Sequence, residues 1–225
     1  MAENNRTQAA VYPQESVLAT NSLIRNTYIL LSMTLLFSAA TAGFAMVTHA
    51  PMVNIWLVMG GYFGLFFLTN YLRDSAWGLL STFALTGFMG YTLGPILNAY
   101  ISHYANGSQL VTYALGSTGA IFLGLSGYAL TSRKDFSFMG GFIGAGILIA
   151  FIAGIANIFL GIPALGLAVS SMFVLLMSAF ILYQTSAMVH GGETNYIMAT
   201  VGLYVTIYNL FTSLLQLLGV FGGDD

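Results

Sequence analysis

The chain has 225 residues, of which 57% are hydrophobic and only 5% charged, and its formal net charge is −2. Soluble domains carry about 25% charged residues, so a soluble fold is excluded, and there is no basic patch large enough to hold nucleic acid. There is no cysteine, which removes disulfides, thiolate metal sites and a cysteine nucleophile.

The few charges cluster. They lie in the first 25 residues, at Arg73-Asp74, at Arg133-Lys134-Asp135, at Glu193 and at Asp224-Asp225. Between these clusters run apolar segments long enough to cross a bilayer, which takes about 20 residues per helix. A transmembrane β-barrel would show ~10-residue strands of alternating polarity. These segments are longer and apolar all round, so the expected class is an all-α integral membrane protein. No cleavable signal peptide is expected, because the polar leader is followed directly by a full span.

Residues 1–24 read as a polar tail. Pro13 and the content of Asn, Gln, Ser and Thr argue against a packed core there. Residues 25–225 read as a transmembrane domain of seven spans. The first is expected over Thr27–Val47, followed by the turn His49-Ala50-Pro51. The second covers Met52–Tyr71 and ends at Arg73-Asp74. The third covers Ala76–Tyr100 and contains Gly94-Pro95, where the missing donor predicts a kink. The loop His103–Gln109 leads to the fourth, Leu110–Leu130. Arg133-Lys134-Asp135 separates it from the fifth, Phe138–Leu160. Gly161-Ile162-Pro163 is a tight turn before the sixth, Ala164–Val189. The polar turn His190–Asn195 precedes the seventh, Tyr196–Phe221.

With seven spans, all five basic residues (Arg6, Arg25, Arg73, Arg133 and Lys134) fall on one side. The positive-inside rule then places the amino terminus in the cytoplasm and Asp224-Asp225 outside. The charge pattern does not test the seventh segment, which either crosses fully or re-enters. Small residues at four-residue spacing mark close helix contacts. They are Gly116, Ala120 and Gly124 on the fourth span, with Gly140 and Gly144, then Gly146, Ala150 and Gly154, on the fifth. Internal packing is the expected use, and an oligomer interface is the alternative.

The seventh span carries Thr206, Asn209, Ser213 and Gln216. Their spacing of three, four and three puts them on one helix face. Such a face is costly against lipid, so it should point into the bundle. Expected partners are Gln184, Thr185 and Ser186 on the sixth span and Asn157 on the fifth. One reading is interhelical hydrogen bonding; the other is a polar pathway for an ion. Neutral amides and hydroxyls do not hold calcium strongly, because calcium sites use several carboxylates. No Asp, Glu, Lys or Arg lies inside a span clear of its ends. His49, His103 and His190 sit at or near loops without metal-ligand spacing, and His190 with Glu193 reads as a solvated turn pair. No enzyme activity, metal or cofactor is therefore expected.

At Ser132–Phe138, Gly94-Pro95-Ile96 and Leu203–Phe211 the chain resembles the Bax inhibitor-1 family (the TMBIM superfamily). The turn His190–Ile197 together with Leu203–Asn209 is similar to its bacterial, YccA-like branch. The resemblance extends from Arg25 to Phe221 and implies a seven-helix bundle with the last helix at its centre. The family's calcium-leak branch is described as pH-sensitive, using an arginine at the end of the second helix and aspartates on the sixth and seventh. By motif position these correspond to Arg73, Gln184 and Thr206. Both acids are missing, and a neutral pair cannot exchange a shared proton. Arg73 is then expected to pair with Asp74 or simply to mark the cytoplasmic face.

The bacterial branch implies a multi-pass protein of the inner membrane that modulates FtsH, a membrane-bound AAA protease, and is a candidate substrate of it. Such a protease starts on an unstructured cytosolic end. The tail suits that start, while a packed bundle resists extraction; a plain solvated terminus is the tail's other reading. The alternative function is a calcium or cation leak through the bundle centre with a degenerate pH latch. A purely structural membrane partner is the third.

Overall fold

The computed structural model describes residues 12–223, with side chains from residue 22 onward. Seven helices follow one another: α1 (Tyr12–Val47), α2 (Ile55–Leu72), α3 (Ala76–His103), α4 (Gly107–Ser132), α5 (Gly140–Leu160), α6 (Pro163–His190) and α7 (Tyr196–Gly222). A short 3-10 turn, Ser137–Met139, precedes α5. All seven are long and apolar enough to span a membrane. A helix satisfies its own backbone, which is why long apolar runs take this form in lipid.

The helix ends follow local chemistry. Asn54 and Asn195 cap α2 and α7 with their side chains. Gly161 and Gly191 end α5 and α6 in the left-handed conformation that glycine adopts without strain. α7 is one uninterrupted helix of 27 residues. At ~1.5 Å per residue it is about 40 Å long, enough to cross the bilayer core, and nothing in it turns back as a re-entrant segment would. α3 continues through Pro95 to His103.

One boundary differs clearly from expectation. α1 begins at Tyr12, well before Thr27. Pro13 falls in the first turn, where a missing amide hydrogen costs no helical hydrogen bond. The remainder of the expected tail, residues 1–11, and Asp224-Asp225 lie outside the described residues.

α3 and α7 are the inner helices. In their most apolar windows 61% and 50% of residues are buried, against 6% for α2 and 11% for α5. α7 packs along α1, α3, α4 and α6, while α2 leans on α3 and α5 on α6. The last helix is therefore central, enclosed by four neighbours rather than by all six.

Small residues set the closest approaches. On α5, Gly146 meets Leu176 and Gly154 meets Val169 of α6, with Ala150 fully buried between them. That run packs internally, as expected; of the other pair on α5, Gly140 meets Tyr183 but Gly144 is exposed with open space where a Cβ would stand. The ridge on α4 does not pack internally: Gly116, Ala120 and Gly124 are exposed, and the two glycines have open space where a Cβ would stand. α4 instead packs through Leu110, Ala114, Thr118, Phe122, Ser126 and Ala129. The tightest contact lies between α1 and α3. A Cβ on Gly94 would stand 2.6 Å from Ala45 Cβ and 2.7 Å from Ala42 O, Gly87 faces Phe37 as closely, and Gly90 faces Ser38 more closely still.

Candidate functional site

The polar stripe of α7 is only partly enclosed. Thr206 and Ser213 are buried, Asn209 is half-buried and Gln216 is exposed. The expectation of a sheltered face thus holds for its first three residues. Gln216 departs from it, lying near the end of α7 beside Gly166 and Ser170 of α6. Its Oε1 accepts a 2.7 Å hydrogen bond from Ser170 Oγ. Ser170 was not among the expected partners, although the small residues on that turn of α6 leave room for such a contact. Asn209 Nδ2 donates to its own helix at Val205 O, 2.8 Å away.

Gln184 and Thr206 meet as their matched positions suggest. Gln184 Nε2 donates to Thr206 Oγ1 at 2.8 Å, and Thr206 Oγ1 donates to Gly202 O at 2.8 Å. Gln184 Oε1 is buried without a partner among the described residues. It lies 3.1 Å from where a Cβ on Gly202 would stand, so the absent side chain makes room for the carboxamide. A cleft of about 220 Å³ reaches Gln184 from the α6–α7 turn, bordered by Tyr183, Gly192, Glu193 and Met198. The other expected partners serve elsewhere. Thr185 contacts Ser126 and Tyr28, Ser186 binds the α4–α5 loop, and Asn157 Oδ1 accepts from Ile162 N.

The opposite face of α7 carries a polar contact that periodicity did not flag. Tyr204, only 1% exposed, places its hydroxyl 2.6 Å from Ser38 Oγ of α1 and donates to Thr86 O of α3 at 3.1 Å. One side chain thereby joins three helices. A lone tyrosine in an apolar run gives no such signal in sequence. Beside it an apolar groove of about 520 Å³ runs between α1 and α4 over Phe122, Ile207 and Phe211.

Arg25, Arg73, Arg133 and Lys134 lie at one end of the bundle, where Thr200, Asn195 and His190 contact the backbone of Thr27, Arg73 and Arg133. Asn195 uses its whole carboxamide there. Oδ1 accepts from the Ile197 and Met198 amides at 3.0 and 3.1 Å, capping α7. Nδ2 donates to Asp74 Oδ1 at 2.9 Å and Arg73 O at 3.2 Å, tying the α2–α3 turn to the start of the central helix. Arg73 pairs with Asp74 at 3.6 Å. It has no hydrogen bond or ion pair to Gln184 or Thr206 among the described residues. His190 does not pair with Glu193, whose Oε1 accepts the amides of Thr194 and Asn195 at 2.8 and 2.7 Å.

Within the bundle, away from the charged end, the helices are held together by neutral hydrogen bonds. Along the stripe there is no group to titrate, and among the described residues no three His, Asp or Glu side chains gather as a metal cluster.

A family profile described as "Inhibitor of apoptosis-promoting Bax1" matches residues 20–223. An Escherichia coli protein named "Modulator of FtsH protease YccA" is 48% identical over 98% of this chain and all of its own length. An uncharacterised Pseudomonas aeruginosa protein is 55% identical over 96% of both chains. A second Escherichia coli relative, again 48% identical over the same share, is named "Inner membrane protein YccA". Seven apolar helices around a central α7, a match across the bundle and these full-length identities agree: the chain belongs to the Bax inhibitor-1 family.

Proposed function

We propose that this protein modulates an FtsH-type membrane protease from within the bacterial inner membrane. The observation that carries the reading is the 48% identity to the FtsH modulator over 98% of this chain and the whole of that relative. In this reading the end holding Arg73, Arg133 and Lys134 faces the cytoplasm, as the one-sided distribution of basic residues favours. The amino-terminal segment, residues 1–24, is then offered on the side where an AAA protease takes hold.

The bundle supports the second half of the idea. A protease drawing on the amino terminus must peel α1 away from its neighbours. α1 is held to α3 by the Gly87, Gly90 and Gly94 approaches, to α7 by Ser38–Tyr204 and Thr200 Oγ1–Thr27 O, and to α6 by Tyr28–Thr185. Extraction that stalls keeps the protease occupied. The test is co-purification with the protease in mild detergent, beside its turnover of a membrane substrate with the full chain and with residues 1–11 deleted. Enrichment of the protease, with restraint lost on deletion, is expected. No enrichment together with unchanged turnover on deletion overturns the reading.

A cation leak is the second reading, favoured by the cleft bordered by Glu193 that reaches Gln184, which is bonded to Thr206. In it, that bond closes the path between α6 and α7. Calcium uptake by protein-loaded liposomes tests it.

A further inference from the structure

His190 ends α6, and its ring spans two segments of the chain. Nδ1 lies 2.9 Å from Ser186 O, one turn back, and Nε2 lies 3.1 Å from Arg133 O in the α4–α5 loop. A carbonyl oxygen only accepts, so both contacts are hydrogen bonds only when each ring nitrogen bears a proton. Neutral imidazole has one N–H. Protonated on Nδ1 alone, it turns the Nε2 lone pair toward Arg133 O. Protonated on Nε2 alone, it turns the Nδ1 lone pair toward Ser186 O. Ser186 Oγ, 3.2 Å from Nδ1, relieves the second case only by giving up Lys134 O, also 3.2 Å away. The doubly protonated ring satisfies every acceptor, and a helix carboxyl end favours a cation.

The loop rests on this corner. The Phe136 amide donates to the buried Ser186 Oγ at 3.0 Å, and the Phe136 ring lies 6.2 Å from that of Tyr128. Arg133 and Lys134 of the loop are the cations nearest in the chain, and Asp135 is the nearby anion. On the following turn Glu193 is engaged with its own backbone, and on the α2–α3 turn Arg73 is paired with Asp74. Hydrogen bonds from the Ser137 amide and hydroxyl hold the Asp135 carboxyl below its ordinary range, and the charge of His190 adds to this.

We propose that His190 is a proton-controlled fastener of the α4–α5 loop. With both nitrogens protonated the ring holds Arg133–Phe136 against the end of α6, and loss of one proton frees the loop and the two basic side chains it presents. Because the fastened state carries one more proton than the released one, the loop tightens on acidification and loosens on alkalinisation. This device works whatever partner the basic end meets.

Hydrogen–deuterium exchange of the Phe136 amide tests it, using the full chain in lipid nanodiscs and dividing each rate by the intrinsic rate at that pH. Protection is expected to fall about three- to tenfold between about pH 5.5 and 8, the worth of one hydrogen bond. His190→Gln should remove the pH dependence. His190→Arg, charged throughout, should hold protection high at both ends. Flat protection in the natural sequence, or the same slope in His190→Gln, overturns the proposal. Nitrogen NMR of the labelled His190 ring decides it without substitution: two N–H signals at about pH 5.5 are expected, and one overturns it.

Discussion

Tyr204 and Ser38 meet hydroxyl to hydroxyl at 2.6 Å in the interior, 166 residues apart in the chain. Because Tyr204 gives its proton to Thr86 O, Ser38 donates to Tyr204. Tyr204→Phe keeps the ring but leaves the buried Ser38 hydroxyl without its acceptor and Thr86 O with its helical partner alone. Interhelical hydrogen bonds in membranes contribute about 0.6–2 kcal/mol, and orphaned groups cost about 1–3 kcal/mol. Thermal unfolding in mild detergent should therefore show a loss of roughly 2 kcal/mol. An unchanged midpoint would mean that the two hydroxyls contribute nothing net.

The glycines of α3 and α4 should respond in opposite ways. At Gly90 an added Cβ would run into Ser38 O and the hydroxyls of Ser38 and Thr41. Gly90→Ala must push α1 and α3 apart, at about 1–3 kcal/mol, the usual cost of overpacking. At Gly116 the space is open. Gly116→Ala should be neutral, or up to about 1 kcal/mol stabilising through helix propensity. The same unfolding measurement separates them, and equal losses would refute this account of the α1–α3 contact.

That contrast marks where sequence reading ran out. Span number, the six turns and the one-sided charge were legible because water and lipid demand opposite residues. Protein interior and lipid tails are both apolar, so the contacts of Gly116 and Gly94 look alike in sequence. The stripe was legible from Thr206 to Ser213 because polar groups are costly in lipid, and the match of Gln184 to Thr206 came from motif position. Tyr204 was hidden because its partners, Ser38 and Thr86 O, come from distant helices and one is backbone. The start of α1 was hidden because Pro13 reads as a breaker unless it falls in a first turn.

Asn195 should tolerate few replacements. Asn195→Ala removes the cap of α7 and both donations to the α2–α3 turn, and loss of a cap alone costs about 0.5–2 kcal/mol. Asn195→Asp retains the capping oxygen but sets a second carboxylate where Nδ2 now lies 2.9 Å from Asp74 Oδ1. Near neutral pH it should recover only part of the loss. If Asn195→Asp matched the natural midpoint, the link to Asp74 would carry no weight.

Asp135 gives a pH dependence opposite in sign to that of His190. Its Oδ1 accepts the Ser137 amide at 2.8 Å, and that bond with the Ser137 hydroxyl lowers its pKa from an ordinary 3.8. A carboxyl lowered on folding supports the turn fully above its ordinary value and loses that support as pH falls through the folded value. Normalised exchange should show the Ser137 amide protected from about pH 5 upward and released at more acid pH. In Asp135→Ala the amide should lack that protection throughout.

The Gln184–Thr206 bond sets the response of the α6–α7 contact to pH. Amide and hydroxyl do not titrate, so calcium uptake by liposomes holding the natural sequence should not change through this pair between about pH 6 and 8. The double variant Gln184→Asp, Thr206→Asp faces two carboxyls across the contact that Gln184 and Thr206 now make. At lower pH the two carboxyls share a proton, because two facing anions repel. While one proton is shared, a hydrogen bond again joins the helices. Once it leaves at higher pH, repulsion parts α6 from α7 and uptake should rise. Uptake by the double variant that stays flat with pH, with folding verified by its unfolding midpoint, would show that this contact is no gate. Thr206→Val separates closure from stability: it leaves Gln184 Nε2 unpaired and should lower stability by about 1–3 kcal/mol without creating any pH dependence.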